Sequence, residues 1–454
     1  YFSVLLIPMT SLSVNAIKYS IDLLLEIAGL QINTDDLFLT HQNGVSCVTI
    51  NTTENKKIIF RLISDFEMEQ LIKGLLRLGE YPSYDNKLDI PIIYSGSREN
   101  ITQTSEDVLS INADILTITF FLSSRYEETF YANKDKYGRF EYTDSLAFKY
   151  NFIDIPIIDE YAMLLRQWIE RFVPDLKILK RKSRIIPTHD IDNILRFSSF
   201  FKNIKTIIGG DIIARKNPLI AFKSVKQCFA ASKSRVNDPL ILSILKLIEI
   251  SWSNGLKSVF YFKGLQKGQR DCSYDVFIPE VKYCMDAILN SGMIVGMHGG
   301  LDTNNNISRF REQKENLEKV LGEPITANRQ HYLMFDVNSS VQIWQDSGIL
   351  SDSTIGYSNR EGFRCGTCHP FFLYDLKYDR KSTILEIPLI VMEATLFDHR
   401  KLNIKAAIQK IKTLYERCVA VEGDMVILWH NENVYRDYEV KFKEVYCDFL
   451  LKFA

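Results

Sequence analysis

The chain has 454 residues, which is more than a single hydrophobic core usually serves, so we expect two domains or one domain with a large appendage. Its 55 Lys and Arg residues nearly balance its 56 Asp and Glu residues, and the net charge of −1 excludes a global field that attracts nucleic acid. The apolar fraction of 46% excludes a largely disordered protein.

The first part of the chain, from about residue 1 to 175, is predicted to be a smaller mixed α/β domain. Residues 15–30 have a helical pattern, residues 89–95 and the apolar residues 113–122 are strand-like, and residues 159–171 form a further helix. The charged cluster at residues 124–128 follows an apolar segment, which is typical of a solvated helix start, and a contact surface is the alternative. Pro174 and the basic run at residues 177–184 mark the predicted boundary to a second domain.

Several features bear on the location of the protein. Residues 1–9 are apolar but short and lack a basic flank, so they resemble a first strand more than a signal peptide. No apolar run approaches the length of a membrane span. The eight cysteines are scattered, which favours free thiols over a disulfide framework. We therefore expect a cytoplasmic protein.

From about residue 180 to 454, strand-like and helix-like segments alternate, which predicts an α/β architecture with mainly parallel strands. Helices are predicted at residues 279–290 and 404–421, among others. The number of strands is that expected of a barrel. The predicted strands are residues 185–190, 257–262, 293–297, 328–335, 353–357, 383–391 and 425–429.

A helical insertion is predicted between the first two of these strands, at about residues 195–255, and its first part is strongly basic. The ordinary interpretation of such a stretch is a solvated helical face. Peripheral contact with an anionic membrane or glycan is the alternative. The basic residues are Arg196, Lys202, Lys205, Arg215, Lys216, Lys223, Lys226, Lys233 and Arg235, and Asp211 is the single acid among them.

An acidic pair stands at the end of the first of these strands, in the segment Thr188-His189-Asp190-Ile191-Asp192. Residues two apart on a strand point to the same side, so Asp190 and Asp192 can face one site. Catalytic groups gather at the C-terminal strand ends of α/β barrels, where one carboxylate can bind a metal and another can accept a proton. The alternative is that Asp192 caps the next helix and Asp190 is a solvated turn residue.

Histidines mark the ends of later strands. His298 and Asp302, four residues apart, offer an imidazole nitrogen and a carboxylate oxygen, which suit zinc or another divalent ion. Five of the seven histidines fall at or near strand ends, which is more than scattered core histidines would give. These five are His189, His298, His331, His369 and His430.

The segment from Arg364 to His369 contains Cys-x-x-Cys-His, which is also the attachment motif of c-type haem. No export signal accompanies it, so haem is not favoured. A structural zinc site would need four ligands, and no second pair of cysteines is available. We interpret the segment as a loop over the active site, with Arg364 or His369 touching the substrate.

In order and character, the segments from about residue 180 to 454 resemble the polysaccharide deacetylases of the NodB-homology class, carbohydrate esterase family 4. The wider pattern resembles a bacterial subgroup that has an extra N-terminal domain of unknown role. This pattern comprises Ser-Arg-Tyr-Glu-Glu, Gly-Arg-Phe, Thr-His-Asp-Ile-Asp, Arg-Gln-His-Tyr-Leu and Gly-Phe-Arg-Cys-Gly-Thr-Cys-His-Pro. The resemblance implies a distorted (β/α) barrel after a smaller α/β domain, and a divalent metal, with zinc as the expected ion.

The activity implied by this resemblance is hydrolysis of N-acetyl groups on a glycan or glycan precursor. Asp190 would be the general base, with Arg329 orienting it, and His430 would be the general acid. The metal would be held by Asp192, His298 and Asp302, and Asp302 stands where the family has a second histidine. Substrate contacts are expected at Tyr332, His331, Arg364 and His369.

Two alternatives to this activity remain open. The first is a glycan-binding or assembly protein with a degenerate site, motivated by Asp302 in place of the usual histidine and by the extra N-terminal domain. The second keeps the metal site but moves the substrate to another carbon–nitrogen or ester bond. Metal content separates the first from a hydrolase, because a site without its metal loses the activation of water.

Overall fold

The structure is a computed structural model that describes residues 12–42, 45–52, 56–95, 100–130, 134–197, 203, 207, 218–435 and 438–453. Part of the basic insertion therefore lies outside the described residues. These positions are Lys202, Lys205, Asp211, Arg215 and Lys216. Within the described parts of the chain, none of the helices combines the length and apolarity that a bilayer crossing needs.

The N-terminal region, up to about residue 175, packs helices on a mixed sheet. A five-stranded sheet has the order β1-β2-β3-β7-β6, and β4 pairs with β5 separately. The strands are β1 (Phe38–Gln42), β2 (Val45–Asn51), β3 (Lys57–Arg61), β4 (Gly79–Pro82), β5 (Asp89–Ile92), β6 (Thr102–Thr104) and β7 (Val108–Ile111). The helices are α1 (Val14–Ala28), α2 (Asp65–Ile72), α3 (Ile115–Ser123), α4 (Leu146–Lys149) and α5 (Ile157–Phe172).

Helix α1 begins and ends where its sequence provides caps. The Ser13 hydroxyl accepts a hydrogen bond from the Ala16 backbone N–H, which satisfies one of the unpaired donors of the first turn. Gly29 ends the helix in the left-handed conformation, with a φ of 69°. A Cβ atom at Gly29 would lie 2.1 Å from the Leu179 carbonyl oxygen, so this close approach also requires glycine.

Most of the apolar segment 113–122 is helical, because α3 begins at Ile115, and this corrects the strand-like prediction. Asp114 caps the helix by accepting from the backbone N–H groups of Leu116 and Thr117. Every residue of α3 is buried, so no polar face interrupts the apolar run. A fully buried helix and a buried strand have the same apolar pattern over so short a run, and the cap decides between them.

The charged cluster at residues 124–128 is buried, which corrects the prediction of a solvated surface. The Arg125 side chain is fully buried and lies 2.5 Å from Glu127 and 2.8 Å from Glu128. Arg364, from the second part of the chain, pairs with the same Glu128 carboxylate at 2.7 Å. The cluster therefore joins two distant parts of the sequence through buried ion pairs.

The C-terminal region carries a curled nine-stranded sheet in the order β13-β14-β12-β11-β10-β9-β8-β16-β15. All neighbouring strands are parallel except β13 and β14. The sheet forms a half-barrel whose edge strands are β13 and β15. The strands are β8 (Ile185–Ile191), β9 (Val259–Phe262), β10 (Ile294–Gly299), β11 (Ala327–Gln330), β12 (Ser351–Asp352), β13 (Phe371–Asp375), β14 (Arg380–Glu386), β15 (Val391–Met392) and β16 (Met425–Leu428).

The predicted strands match this sheet most closely at β8, β9, β10 and β16. The predicted strand at 383–391 is interrupted after Glu386. No strand forms at the predicted residues 353–357, and the short strand Ser351–Asp352 directly precedes them. Helices and helical turns alternate with the strands. They are α6 (Pro218–Lys233), α7 (Pro239–Ser253), α8 (Pro279–Asn290), α9 (Ile307–Leu321), α10 (Ser340–Asp346), α11 (Ile404–Ala420), α12 (Glu439–Lys441) and α13 (Asp448–Phe453).

The two regions share one hydrophobic core. A single cluster of buried side chains includes residues on both sides of residue 175. At its border, Arg166 donates to Glu422 at 2.8 Å, and the Asp159 carboxylate accepts from the Cys368 backbone N–H. The structure therefore does not set off the N-terminal region as a clearly separate domain, and the boundary at about residues 175–180 remains a prediction.

Candidate functional site

Polar side chains meet at one edge of the curled sheet. Asp190 and Asp192 stand at the end of β8, and His298 stands at the end of β10, the middle strand of the sheet. His331 and His430 follow β11 and β16. Because these strands are parallel, their carboxyl ends lie on the same side, and the side chains share one cleft.

Three of these residues place metal-ligand atoms close together. One ligand-type atom each of Asp192, His298 and His331 lies within 4.8 Å of the others. The Asp192 Oδ1 atom is 3.6 Å from His298 Nε2 and 3.2 Å from His331 Nε2. Asp192 Oδ1 and His298 Nε2 are buried without a hydrogen bond among the described residues. Buried oxygen and nitrogen atoms that converge on one point are a ligand set that fits a divalent metal ion, although Lys263 Nζ also lies 3.0 Å from Asp192 Oδ1.

Both imidazole rings are oriented by an acceptor at the ring nitrogen that faces away from the cleft. His298 Nδ1 lies 2.9 Å from the Arg329 carbonyl oxygen, and His331 Nδ1 lies 2.6 Å from Asp271 Oδ2. These acceptors fix the proton on Nδ1, so Nε2 of each ring presents its lone pair to the cleft. A ligating histidine needs this arrangement.

The Asp192 carboxyl is strongly acidic. Burial alone would raise its pKa, but His298, His331 and Lys263 hold the pKa of Asp192 well below its usual value. Lys263 has a nearly buried side chain, and its Nζ lies 3.0 Å from Asp192 Oδ1 and 3.4 Å from His331 Nε2. Asp192 is therefore an ionised carboxylate that is surrounded by the Lys263 ammonium and two imidazole rings.

Asp190 is held by a buried arginine. Arg329 Nη1 lies 3.3 Å from Asp190 Oδ1 and donates to the Thr188 hydroxyl at 2.8 Å. The rest of the guanidinium is fixed by the Ser353 carbonyl and hydroxyl, at 2.9 and 2.7 Å, and it lies over the Tyr261 ring. Arg329 thus has one orientation, and it keeps Asp190 directed at the cleft.

His430 faces the two carboxylates from the other side. Its Nε2 atom lies 4.0 Å from Asp190 Oδ2 and 3.8 Å from Asp192 Oδ2, and its Nδ1 atom lies 2.6 Å from Glu393 Oε1. Burial would lower its pKa, but Glu393, Asp192 and Asp190 raise the pKa of His430 to about 10. His430 is therefore an imidazolium at neutral pH.

The turn after β11 has a strained backbone. Tyr332 and Leu333 have φ values of 60° and 53°, in the left-handed region that residues with side chains seldom occupy. Both residues line the cleft, which has a volume of about 220 Å³. Backbone strain of this kind costs energy and recurs at functional sites.

The N-terminal region reaches this turn. Arg139 lines the cleft, and its Nη1 atom donates to the Tyr332 carbonyl oxygen at 2.8 Å. Asp135 pairs with the same guanidinium at 2.6 Å, and the Tyr137 ring stacks on the Tyr332 ring at 4.8 Å. The wall of the cleft is therefore built by both regions of the chain.

Asp302 is not part of the cluster, which corrects its predicted place among the metal ligands. Its Oδ1 atom accepts from Gln313 Nε2 at 3.0 Å, and its Oδ2 atom is 3.9 Å from Arg309 Nε. The chain after β10 turns at residues 300–303 and leads into α9, so Asp302 and His298 do not share a helical turn. His331, which was expected to contact substrate, lies in the cluster with Asp192 and His298.

Arg364 and His369 also lie outside the cleft, which corrects their predicted contact with substrate. Arg364 is buried against Glu128 and the Gly356 carbonyl, and His369 Nε2 lies 2.8 Å from the Val421 carbonyl oxygen. The segment 364–369 therefore joins the two regions. Cys365 and Cys368 are buried free thiols.

The residues of the site that were not predicted include Lys263, Asp271 and Glu393, and Arg139 from the N-terminal region. Lys263 directly follows β9, so the same position at a strand end that identified His298 could have identified it. Asp271 lies in a loop, and Glu393 follows the two-residue strand β15. No pattern in the sequence marks the position of Asp271 or Glu393.

A family of unknown function, DUF7033, matches residues 5–174. No curated protein matches.

Solved structures that are similar to this chain include carbohydrate esterases of family 4, at low identity. A polysaccharide deacetylase from Mycobacterium smegmatis is 14% identical, with a TM-score of 0.39, covering 60% of this chain and 85% of its own. A family 4 carbohydrate esterase from Streptomyces lividans, in complex with acetate, is 11% identical, with a TM-score of 0.29 and coverages of 60% and 90%. A family 4 pseudoenzyme from Bacillus anthracis is 10% identical, with a TM-score of 0.29 and coverages of 62% and 66%.

Proposed function

We propose that this chain is a metal-dependent hydrolase that removes N-acetyl groups from a glycan or a glycan precursor. The observation that carries the proposal is the convergence of Asp192, His298 and His331, beside the Asp190–Arg329 pair and the His430–Glu393 pair. The motif pattern of the sequence supports a glycan as the substrate.

One carboxylate oxygen and two imidazole nitrogens form a ligand set that zinc accepts while a coordination position stays open. Asp192, His298 and His331 would hold the ion. When bound, it would lower the pKa of a water molecule toward about 7 and polarise the acetamide carbonyl. Asp271 would keep the His331 ring in place, as the Arg329 carbonyl does for His298.

The remaining groups would move protons. Asp190 would accept a proton from the attacking water, since Arg329 keeps it oriented and His430 faces it across the cleft. His430, held as an imidazolium by Glu393, would give its proton to the departing amine. A backbone N–H of the strained Tyr332 turn would donate to the tetrahedral oxyanion. The products are a free amino sugar and acetate.

Acetate release from N-acetylated oligosaccharides tests this proposal. Protein freed of metal by a chelator and then loaded with zinc or cobalt should release acetate, and Asp190→Asn should abolish the release. His331→Ala should also abolish it, whereas the matched variant Asp302→Ala should keep it. No release with any metal and any N-acetylated or O-acetylated substrate would overturn the proposal.

A second candidate function is glycan binding without catalysis, and the contact of Lys263 with Asp192 favours it. An ammonium group at 3.0 Å already balances this carboxylate, so the cluster has a cation of its own. Metal titration separates the two functions. Protein that holds no zinc or cobalt, and binds neither when titrated, while it still binds N-acetylated oligosaccharides, would be a glycan-binding protein.

A further inference from the structure

Helix α6 (Pro218–Lys233) presents a row of large apolar side chains to solvent. Phe222 is 61% exposed, Val225 is 52% exposed and Phe229 is 64% exposed. At 100° per residue these three positions fall within about 60° of one another, and the row runs for about 10 Å along the helix axis. Single exposed apolar residues are ordinary, but a contiguous row marks an interaction surface.

The opposite face of α6 attaches the helix to the protein. Ala221, Ser224 and Ala231 are buried. Arg196 donates to the Ser224 hydroxyl at 2.7 Å and to Gln227 Oε1 at 3.0 Å. The exposed row therefore lies on a different face from the one that packs on the protein.

Lysines accompany the apolar row. Lys226 Nζ lies 4.7 Å from the Phe222 ring centre, and Lys233 Nζ lies 4.6 Å from the Phe229 ring centre. Both lysines fall within about 40° of Phe222 around the helix axis. The sequence contains no acidic residue between Asp211 and Asp238, and Glu439, from α12, pairs with Lys223 at 2.9 Å. The helix itself therefore carries only positive charges, in a chain whose net charge is −1.

We propose that α6 docks on an anionic membrane surface, with Phe222, Val225 and Phe229 inserted at the headgroup level and Lys226 and Lys233 contacting lipid phosphates. An apolar row beside basic side chains is the pattern of a helix that lies in the plane of the membrane interface. A soluble polyanion without apolar or aromatic groups would use the lysines but would leave the exposed phenylalanines unburied. This surface is separate from the candidate hydrolase site and does not depend on its activity.

Cosedimentation of the full chain with vesicles tests the proposal. Vesicles of equal parts phosphatidylcholine and phosphatidylglycerol should bind the protein at least about tenfold more tightly than phosphatidylcholine alone. Binding should be lost in about 1 M NaCl, where the Debye length falls to roughly 3 Å. Lys226→Gln with Lys233→Gln should weaken binding about 30-fold, since each basic residue near the surface contributes about a factor of five.

The apolar row has its own variants and control. Phe222→Ser with Phe229→Ser should weaken binding at least about tenfold while leaving thermal stability unchanged, because both side chains are exposed. Phe66→Ser on α2, which removes a 69% exposed phenylalanine, should bind like the wild type.

Three results would overturn the proposal. The first is that wild-type protein fails to bind the anionic vesicles at low salt. The second is that the double phenylalanine variant binds them as wild type does, which would also be expected if the lysines served a soluble polyanion. The third is that the wild-type chain is a dimer in sedimentation equilibrium and the double phenylalanine variant is a monomer, which would assign the row to contact with a second copy.

Discussion

His331 Nδ1 lies 2.6 Å from Asp271 Oδ2, and the same ring places Nε2 at 3.2 Å from Asp192. We expect Asp271→Asn to weaken zinc binding about 10- to 100-fold, because the loss of this charged acceptor frees the ring and lowers its basicity. Competition titration with a zinc chelator measures the change. Asp302→Asn is the matched control and should bind zinc as the wild type does; equal losses in both variants would contradict the assignment of His331.

The pair of His430 and Glu393 predicts a pH dependence. The pKa of His430 is raised to about 10, so activity that needs the imidazolium should fall as the pH rises through about that value. In Glu393→Gln, the charge that opposes the lowering of the His430 pKa by burial is removed, so the pKa of His430 should drop. The fall of kcat/KM at alkaline pH should then move about 1–3 pH units lower. The exposed variant Glu444→Gln should leave the profile unchanged. An unshifted fall in Glu393→Gln would show that another group titrates.

Because Arg139 contacts the Tyr332 turn, we expect the N-terminal region to affect the rate of reaction. Arg139→Gln removes the hydrogen bond to the Tyr332 carbonyl and frees the strained turn, so we expect kcat to fall about 10- to 100-fold with little change in stability. Steady-state kinetics with thermal unfolding checks both quantities. Arg139→Lys should recover part of the rate, and Lys134→Gln, an exposed change in the same segment, should have no effect.

The buried ion pairs of Arg125 predict a large loss of stability. Arg125→Met leaves Glu127 and Glu128 buried with fewer partners, so the free energy of unfolding should fall by about 3–5 kcal/mol. Urea unfolding measures it. Lys246→Ala breaks the exposed pair with Glu249, at 3.0 Å, and should cost at most about 1 kcal/mol. Similar losses in the two variants would contradict the role of burial.

The parts of the site that follow strands could be predicted from the sequence. Asp190, Asp192, His298 and His430 stand at or just after the ends of parallel strands, and the apolar pattern of those strands locates them. The path of a loop has no such periodicity. The sequence therefore could not show that the chain turns Asp302 toward Gln313, or that Asp271 returns to the His331 ring.

The buried charges were the harder feature to predict. A run such as Ser124 to Glu128 is ordinarily solvated, and its burial depends on Arg364, which is more than 230 residues away in sequence. The bounds of the two-residue strands were hard to predict for a related reason. Ser351–Asp352 and Val391–Met392 are too short to show a pattern, and their pairing partners define them.

The contacts of α1 have a consequence for how the protein is made. The Tyr19 hydroxyl donates to the Phe372 carbonyl at 2.9 Å, across 353 residues of sequence, and Ser13 donates to Asp379. A ribosome adds about 5–20 residues each second, so the first helix waits tens of seconds for the β-hairpin that completes its packing. During that interval the nascent chain exposes apolar surface that chaperones recognise, and folding of the two regions finishes together.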